Sequence, residues 1–127
     1  MKINSIKEIA EDLKKGKMVI VMDDEKRENE GDLIMAASKV FTDNVNFMVK
    51  YGRGLVCVPM EGKRLEQLGL YSMSSEPQDP YKTAWVISVD ARRGITTGIS
   101  AQDRAYTIRL LANKKTRSSD FAKPGHV

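Results

Sequence analysis

A chain of 127 residues can hold one domain with a real core, and 41% hydrophobic with 30% charged residues is a globular composition and not a disordered one. Its 21 Lys and Arg against 17 Asp and Glu give +4, a mild excess that suits a phosphorylated small molecule, while scattered basic clusters and only 6% aromatics set nucleic-acid binding aside. The single cysteine, Cys57, excludes an internal disulfide framework, the N-terminal ten residues lack the apolar region of a signal peptide, and the run Met18–Met22 is far below the ~20 residues of a membrane span, so a cytoplasmic protein without a membrane partner is expected.

Residues 5–17, SIKEIAEDLKKGK, predict a first helix. Ser5 and Glu8 have capping-box spacing, Ile6, Ile9, Ala10 and Leu13 share one face, and Lys14, Lys15 and Gly16 close it. MVIVMD at 18–23 predicts a fully buried strand and LIMAASKV at 33–40 a second. Between them, DDEKRENEGD at 23–32 carries six of the seventeen carboxylates on a loop at strand ends. Two like charges about 4 Å apart repel by roughly 4 kcal/mol at an effective dielectric near 20, so these side chains must fan into water or share a cation.

Further along, Thr42 is read as the cap of a short helix over DNVNFMVKYG, GLVCVPM at 54–60 as a third strand, and EGKRLEQLGL as a helix ending near Gly69. YSMSSEPQDPYK at 71–82 is long for a connector and reads either as a lid or binding loop or as a plain surface excursion. TAWVISVD at 83–90 predicts a fourth strand, ARRGITTG a turn-rich loop, and SAQDRAYTIRLLAN a helix capped by Ser100 with Ala105, Ile108, Leu111 and Ala112 inward; the tail from 114 is read as irregular. The alternation argues for one α/β domain, α+β-like, with a mixed sheet layered against helices and its strand order open.

A charge run is ordinarily a solvated surface. Here the acidic loop directly follows an apolar strand, where α/β sheets place ligands, Arg27 stands inside it as a donor fork, and Gly31 lets the backbone bend. An oxygen-rich loop also suits Mg²⁺, which takes one or two carboxylates and leaves other positions to water or substrate. An EF-hand fails on register, since Gly31 at the sixth position would put Lys26 first and Ala37 twelfth. A phospho-acceptor receiver domain fails because GLVCVPM ends in Pro59 and Met60 and not in aspartate.

DDEKRENEGD, YGRGLVCVP, GITTGISAQDR and KPGHV, in that order over nearly the whole chain, resemble the 3,4-dihydroxy-2-butanone 4-phosphate synthase family. The resemblance implies that family's sandwich fold and a lyase that converts D-ribulose 5-phosphate to L-3,4-dihydroxy-2-butanone 4-phosphate and formate for riboflavin biosynthesis, with Mg²⁺ or Mn²⁺ as cofactor and a homodimer as the assembly. It further implies that Arg27 and Glu28 hold substrate, that Glu28 binds the metal, and that Glu30 and Asp32 serve proton transfer or substrate hydroxyl binding. The chemistry agrees, because enolising a ketose needs a carboxylate base and a group that stabilises negative charge on oxygen. Cys57 is placed near the substrate, Thr97 beside the sugar, and His126, the lone histidine, among the catalytic residues. Tyr81 stands where many members carry histidine. Asp103 and Arg104 also match but are read as an exposed helix pair.

Family members continue past Pro-Gly-His through a Gly-His-Thr loop that supplies a second metal ligand. Residues 1–127 are therefore expected to be a single synthase domain incomplete at its C-terminus, inactive as an isolated segment. The alternative is a non-catalytic remnant that acts as a binding or dimerisation module.

Overall fold

The computed structural model describes residues 3–127. The sequence reading of the first ten residues includes Met1 and Lys2, which lie outside that range. None of the helices among the described residues is long and apolar enough to cross a membrane.

Helix α1 (Ile6–Lys14) begins with the expected capping box: the Ser5 hydroxyl accepts the Glu8 N–H at 3.3 Å, and Glu8 accepts the Ser5 N–H at 2.8 Å. Its apolar stripe is not buried, and Ile6 is 88% exposed. Strands β1 (Val19–Met22) and β2 (Gly31–Ile34) form an antiparallel hairpin in which Val19 faces Ile34 and Val21 faces Asp32. The fully buried strand expected at 18–23 is therefore corrected. Only Val19 is buried there, while Ile20 is 65% and Met22 58% exposed, because nothing among residues 3–127 covers the remaining apolar side chains of this hairpin. The second strand is also shorter than expected, since Ala37–Lys39 coil into a 3₁₀ turn.

Thr42 is the first residue of α2 (Thr42–Phe47) and not its cap; Phe41 takes that place, with its N–H donating to the Asn44 side chain at 2.9 Å. A π-helical turn, Met48–Gly52, continues the helix until Arg53 turns left-handed at φ 60°. Residues 55–60 join no ladder among the described residues, so the third strand is corrected to irregular chain whose Val56, Val58 and Met60 still pack inward. Helix α3 (Gly62–Leu68) ends as expected at Gly69, which adopts φ 63° and is followed by the buried Leu70.

Most of the fourth expected strand is extended by single contacts instead of a full ladder. Residues 85–87 bond to 71–73, strand β3 (Asp90–Ala91) pairs antiparallel with β4 (Phe121–Ala122), and Val89 exchanges backbone hydrogen bonds with Val127. The tail is thus not wholly irregular: Phe121 is 1% exposed, and Lys123 Nζ donates to the Leu68 and Gly69 carbonyls at 3.0 and 2.7 Å, capping the C-terminus of α3.

Helix α4 (Ala101–Ala112) starts at Ser100, whose hydroxyl accepts the Asp103 N–H at 3.0 Å. Ala105, Ile108 and Leu111 are buried as expected, but Ala112, at the last turn, is exposed. The core has two lobes on either side of α4. Leu68, Leu70, Val89, Leu111 and Phe121 make one, Val40, Val45, Ala105 and Ile108 the other, and Val58 and Val127 touch both. Each fully buried Leu or Phe contributes about 1.5–3 kcal/mol of apolar transfer. The layered α/β class holds, with the described ladders antiparallel.

Helix and sheet are joined by one buried polar contact, in which the Thr107 hydroxyl accepts the Ala91 N–H at 2.9 Å. Replacing Thr107 by the isosteric Val leaves that N–H without a partner, and is expected to lower the unfolding free energy by about 1–3 kcal/mol in urea titrations. Thr107→Ser should lose clearly less, because it keeps the acceptor.

Candidate active site

The crowded carboxylates of 23–32 do not act alike. Asp23, half-buried at the exit of β1, accepts the N–H of Glu28 at 3.1 Å and of Glu30 at 2.9 Å, and its second partner on Oδ2 is Arg27 Nη1 at 3.0 Å. Burial works against its charge, yet the Glu30 and Glu28 N–H groups and the Arg27 guanidinium outweigh it and hold the carboxyl below its ordinary value. Asp23 is therefore the frame of the loop. Asp24 completes the turn by accepting the Lys26 N–H, and Asn29 takes the left-handed φ of 52° that lets the chain return to β2.

This frame orients the residues singled out from sequence. Arg27 Nη1 also bonds Glu28 Oε2 at 3.0 Å, so one guanidinium sits between two carboxylates while remaining half exposed. From the 71–82 segment, the Tyr81 hydroxyl donates to the Arg27 carbonyl at 3.1 Å and its ring lies 5.4 Å from the Arg27 guanidinium. Glu30 and Asp32 point from the exposed hairpin. Asp32 lies close enough to Cys57 for its charge to act on the thiol, which burial, and then Asp32, push above the ordinary value. Arg27, Glu28, Asp32 and Cys57 thus share one region of the molecule.

Thr97 and His126 belong to a second cluster. Asp103 is 3% exposed, which corrects the reading of Asp103 and Arg104 as an exposed pair: its carboxylate accepts the Thr96 hydroxyl at 2.7 Å and the Gly98 N–H at 3.0 Å, clamping the Thr96–Gly98 turn onto the start of α4. Arg104 beside it has a buried Nε with no hydrogen-bond partner among the described residues. Thr97 projects exposed from this turn, and Gly98, at φ 93°, packs so closely that a Cβ there would overlap the Asp90 carboxylate and stand 2.8 Å from His126 Nδ1. Among the described residues no hydrogen bond or ion pair joins this cluster to the acidic hairpin. Sequence reasoning passed over Asp23, Asp90 and the clamp role of Asp103. Asp23 and Asp90 did carry a signal, each being an aspartate that ends an apolar run.

As a metal centre the region is open. Among the described residues no three ligating side chains converge, so a single carboxylate such as Glu28, one oxygen of which pairs with Arg27, would supply at most one position of a Mg²⁺ shell and the others would fall to water, substrate or additional ligands. Its hard carboxylate oxygens are the donor type that Mg²⁺ selects.

The sequence profile described as 3,4-dihydroxy-2-butanone 4-phosphate synthase matches residues 7–127. The chain belongs to this family. Among curated relatives, a protein of that name from Pseudomonas aeruginosa is 52% identical over 127 residues, covering 100% of this chain and 35% of its own length. A riboflavin biosynthesis protein RibBA from Aquifex aeolicus is 52% identical over 128 residues, covering 99% and 32%. The chain thus spans about a third of the length of these relatives. A crystal structure of 3,4-dihydroxy-2-butanone 4-phosphate synthase in complex with two magnesium ions superposes with a TM-score of 0.96 at 44% identity, covering 98% of this chain and 58% of that one. The synthase from Candida albicans gives 0.86 at 48%, covering 98% and 60%. The family's α/β fold is therefore the fold of this chain.

Two measurements check the site. Because Asp103 is held below its ordinary value, foremost by the Thr96 hydroxyl, its stabilising effect is complete above the unfolded value of 3.8 and is lost as the pH falls through the lowered folded value. The stability gap between the wild type and Thr96→Val should be flat near neutrality and close below about pH 3.8; a gap that persists through acid unfolding would count against the clamp. Second, the raised Cys57 thiol should react with iodoacetamide more slowly at pH 7 than a free thiol, and Asp32→Asn should speed it a few-fold. An unchanged rate would separate the two residues.

Proposed function

We propose that these 127 residues are the N-terminal part of one synthase domain, incomplete in itself, that converts D-ribulose 5-phosphate to L-3,4-dihydroxy-2-butanone 4-phosphate and formate in the riboflavin pathway. What supports the reading above all is that the family match runs over 7–127 while the acidic hairpin holds Arg27, Glu28 and Asp32 on an internally braced frame. The protein acts as a homodimer in the cytoplasm, on a sugar phosphate that its net positive charge favours.

In this reading Arg27, pinned between Asp23 and Glu28, offers its remaining N–H groups to substrate oxygens. Glu28 holds Mg²⁺ together with substrate. Bound there, the ion would stabilise negative charge developing on the ketose oxygens; Mn²⁺ is the alternative ion. Asp32 and Glu30, on the exposed hairpin, take the proton alpha to the carbonyl and return protons in later steps. Thr97 contacts a sugar hydroxyl, His126 serves as a further acid or base, and Cys57, a neutral thiol beside Asp32, packs against the substrate and limits water around the base.

A formate-release assay on the full-length protein with Mg²⁺ tests this. Glu28→Gln should abolish metal-dependent turnover while the fold persists, and Asp32→Asn should reduce turnover by about 10²- to 10⁴-fold with the melting temperature nearly unchanged. Normal turnover in either variant removes that residue from the mechanism. A wild-type protein that binds ribulose 5-phosphate without releasing formate would favour the remnant reading.

A further inference from the structure

The proposed mechanism gives no part to the segment 71–83, yet one of its side chains meets the acidic hairpin twice. The Tyr81 hydroxyl donates to the Arg27 carbonyl at 3.1 Å, and Arg27 Cζ lies over the Tyr81 ring, 5.4 Å from its centroid. Tyr81 is itself held in place. Its segment leaves and rejoins the fold through paired backbone, where Met73 N–H donates to the Trp85 carbonyl at 2.8 Å and Ile87 N–H to the Tyr71 carbonyl at 3.0 Å. Within the segment, the Asp79 carboxylate accepts the Thr83 N–H at 2.9 Å and the Thr83 hydroxyl at 3.0 Å, and Lys82 N–H donates to the Asp79 carbonyl at 3.1 Å. Residues 79–83 are thereby a closed turn with Tyr81 at its centre.

We propose that Tyr81 is a positioning residue for Arg27, holding its guanidinium in a binding-ready orientation before substrate arrives. This inference rests on the reading of Arg27 as a residue that holds substrate. A half-exposed arginine has many rotamers, and an oxyanion that must first select one of them binds more weakly than one that meets a fixed fork. Three groups restrict the fork here. Arg27 Nη1 is shared by Asp23 and Glu28 at 3.0 Å each, and the Tyr81 ring covers one face of the guanidinium. The two carboxylates fix one corner and leave the plane free to swing about Nη1; the negative face of the ring opposes that swing. Nη2 and Nε then keep N–H groups with no partner among the described residues.

The hydroxyl acts on the main chain of the same residue. Arg27 N–H already donates to the Asp24 carbonyl at 2.9 Å, and the Tyr81 O–H fixes the Arg27 carbonyl at the other end. The expected effect is on binding and not on the chemical step, because a preorganised donor stabilises the bound ketose and the transition state alike.

Two measurements on the full-length protein test this. In substrate-free protein labelled at arginine, with the Arg27 signals assigned by their loss in Arg27→Lys, the Arg27 side-chain protons should be shifted upfield by the adjoining ring. The shift should persist in Tyr81→Phe, which keeps the ring, and vanish in Tyr81→Leu. In formate-release kinetics, Tyr81→Phe should raise KM for ribulose 5-phosphate about 2- to 3-fold and Tyr81→Leu about 4- to 15-fold, with kcat and melting temperature little changed. No ring shift in the wild type overturns the proposal, and this arm stands even if Tyr81→Leu does not fold. An unchanged KM in Tyr81→Leu overturns it as well, and so does an equal KM in the two variants, because the ring then contributes nothing. A fall in kcat at constant KM also overturns it, since Tyr81 would then act on the reacting atoms. A wild type that shows the ring shift and releases no formate condemns the synthase reading and leaves Tyr81's hold on Arg27 supported.

Discussion

The carboxylate of Asp103 at the start of α4 ties the Thr96–Gly98 turn to the helix against which both core lobes pack. It is buried, and it is tolerated there because the Thr96 hydroxyl and the N–H groups of Thr96 and Gly98 converge on it while Ser100 caps its own backbone. The clamp fixes Gly98, Gly98 abuts the Asp90 and His126 pair, and one turn further along α4 the Thr107 hydroxyl holds the backbone of β3 that carries Asp90. Helix, turn, strand and histidine are therefore one unit, joined by buried and partly buried polar contacts.

The acidic hairpin solves the opposite electrostatic problem. Its carboxylates could not all be bare neighbours, and the structure divides the labour. Asp23 turns inward and is neutralised by two N–H groups and a guanidinium, Glu28 shares that guanidinium, and Glu25, Glu30 and Asp32 spread toward water. One carboxylate is used to build the loop so that others can be displayed from it. Tyr81, reaching across from the 71–82 segment, fastens the loop at the Arg27 carbonyl, which gives that segment a stated contact with the site.

The departures from expectation have a common cause. Apolar runs at 18–22 and 54–60 have the composition of buried strands, but a strand is buried only if both faces are covered, and residues 3–127 cover them in part. Hydropathy reports what a segment can bury and not what lies beside it. In the same way, Asp103 is charged and helical, so periodicity assigned it to solvent; its burial follows from a turn five to seven residues away whose N–H groups need an acceptor.

What the sequence by itself determined was local or motif-borne. The Ser5 and Ser100 caps, the Gly69 stop and the inward face of Ala105, Ile108 and Leu111 follow from backbone chemistry within a few residues, and four ordered motifs identified the family. The placing of Arg27 and Glu28 on a loop between strands was legible for the same reason. Only the tertiary structure decided which carboxylates frame and which project, that Asp32 neighbours Cys57 twenty-five residues away, and that Asp90 meets His126 thirty-six residues on. Those pairings are set by chain return and by the competition of buried donors and acceptors, and neither leaves a periodic mark on the sequence.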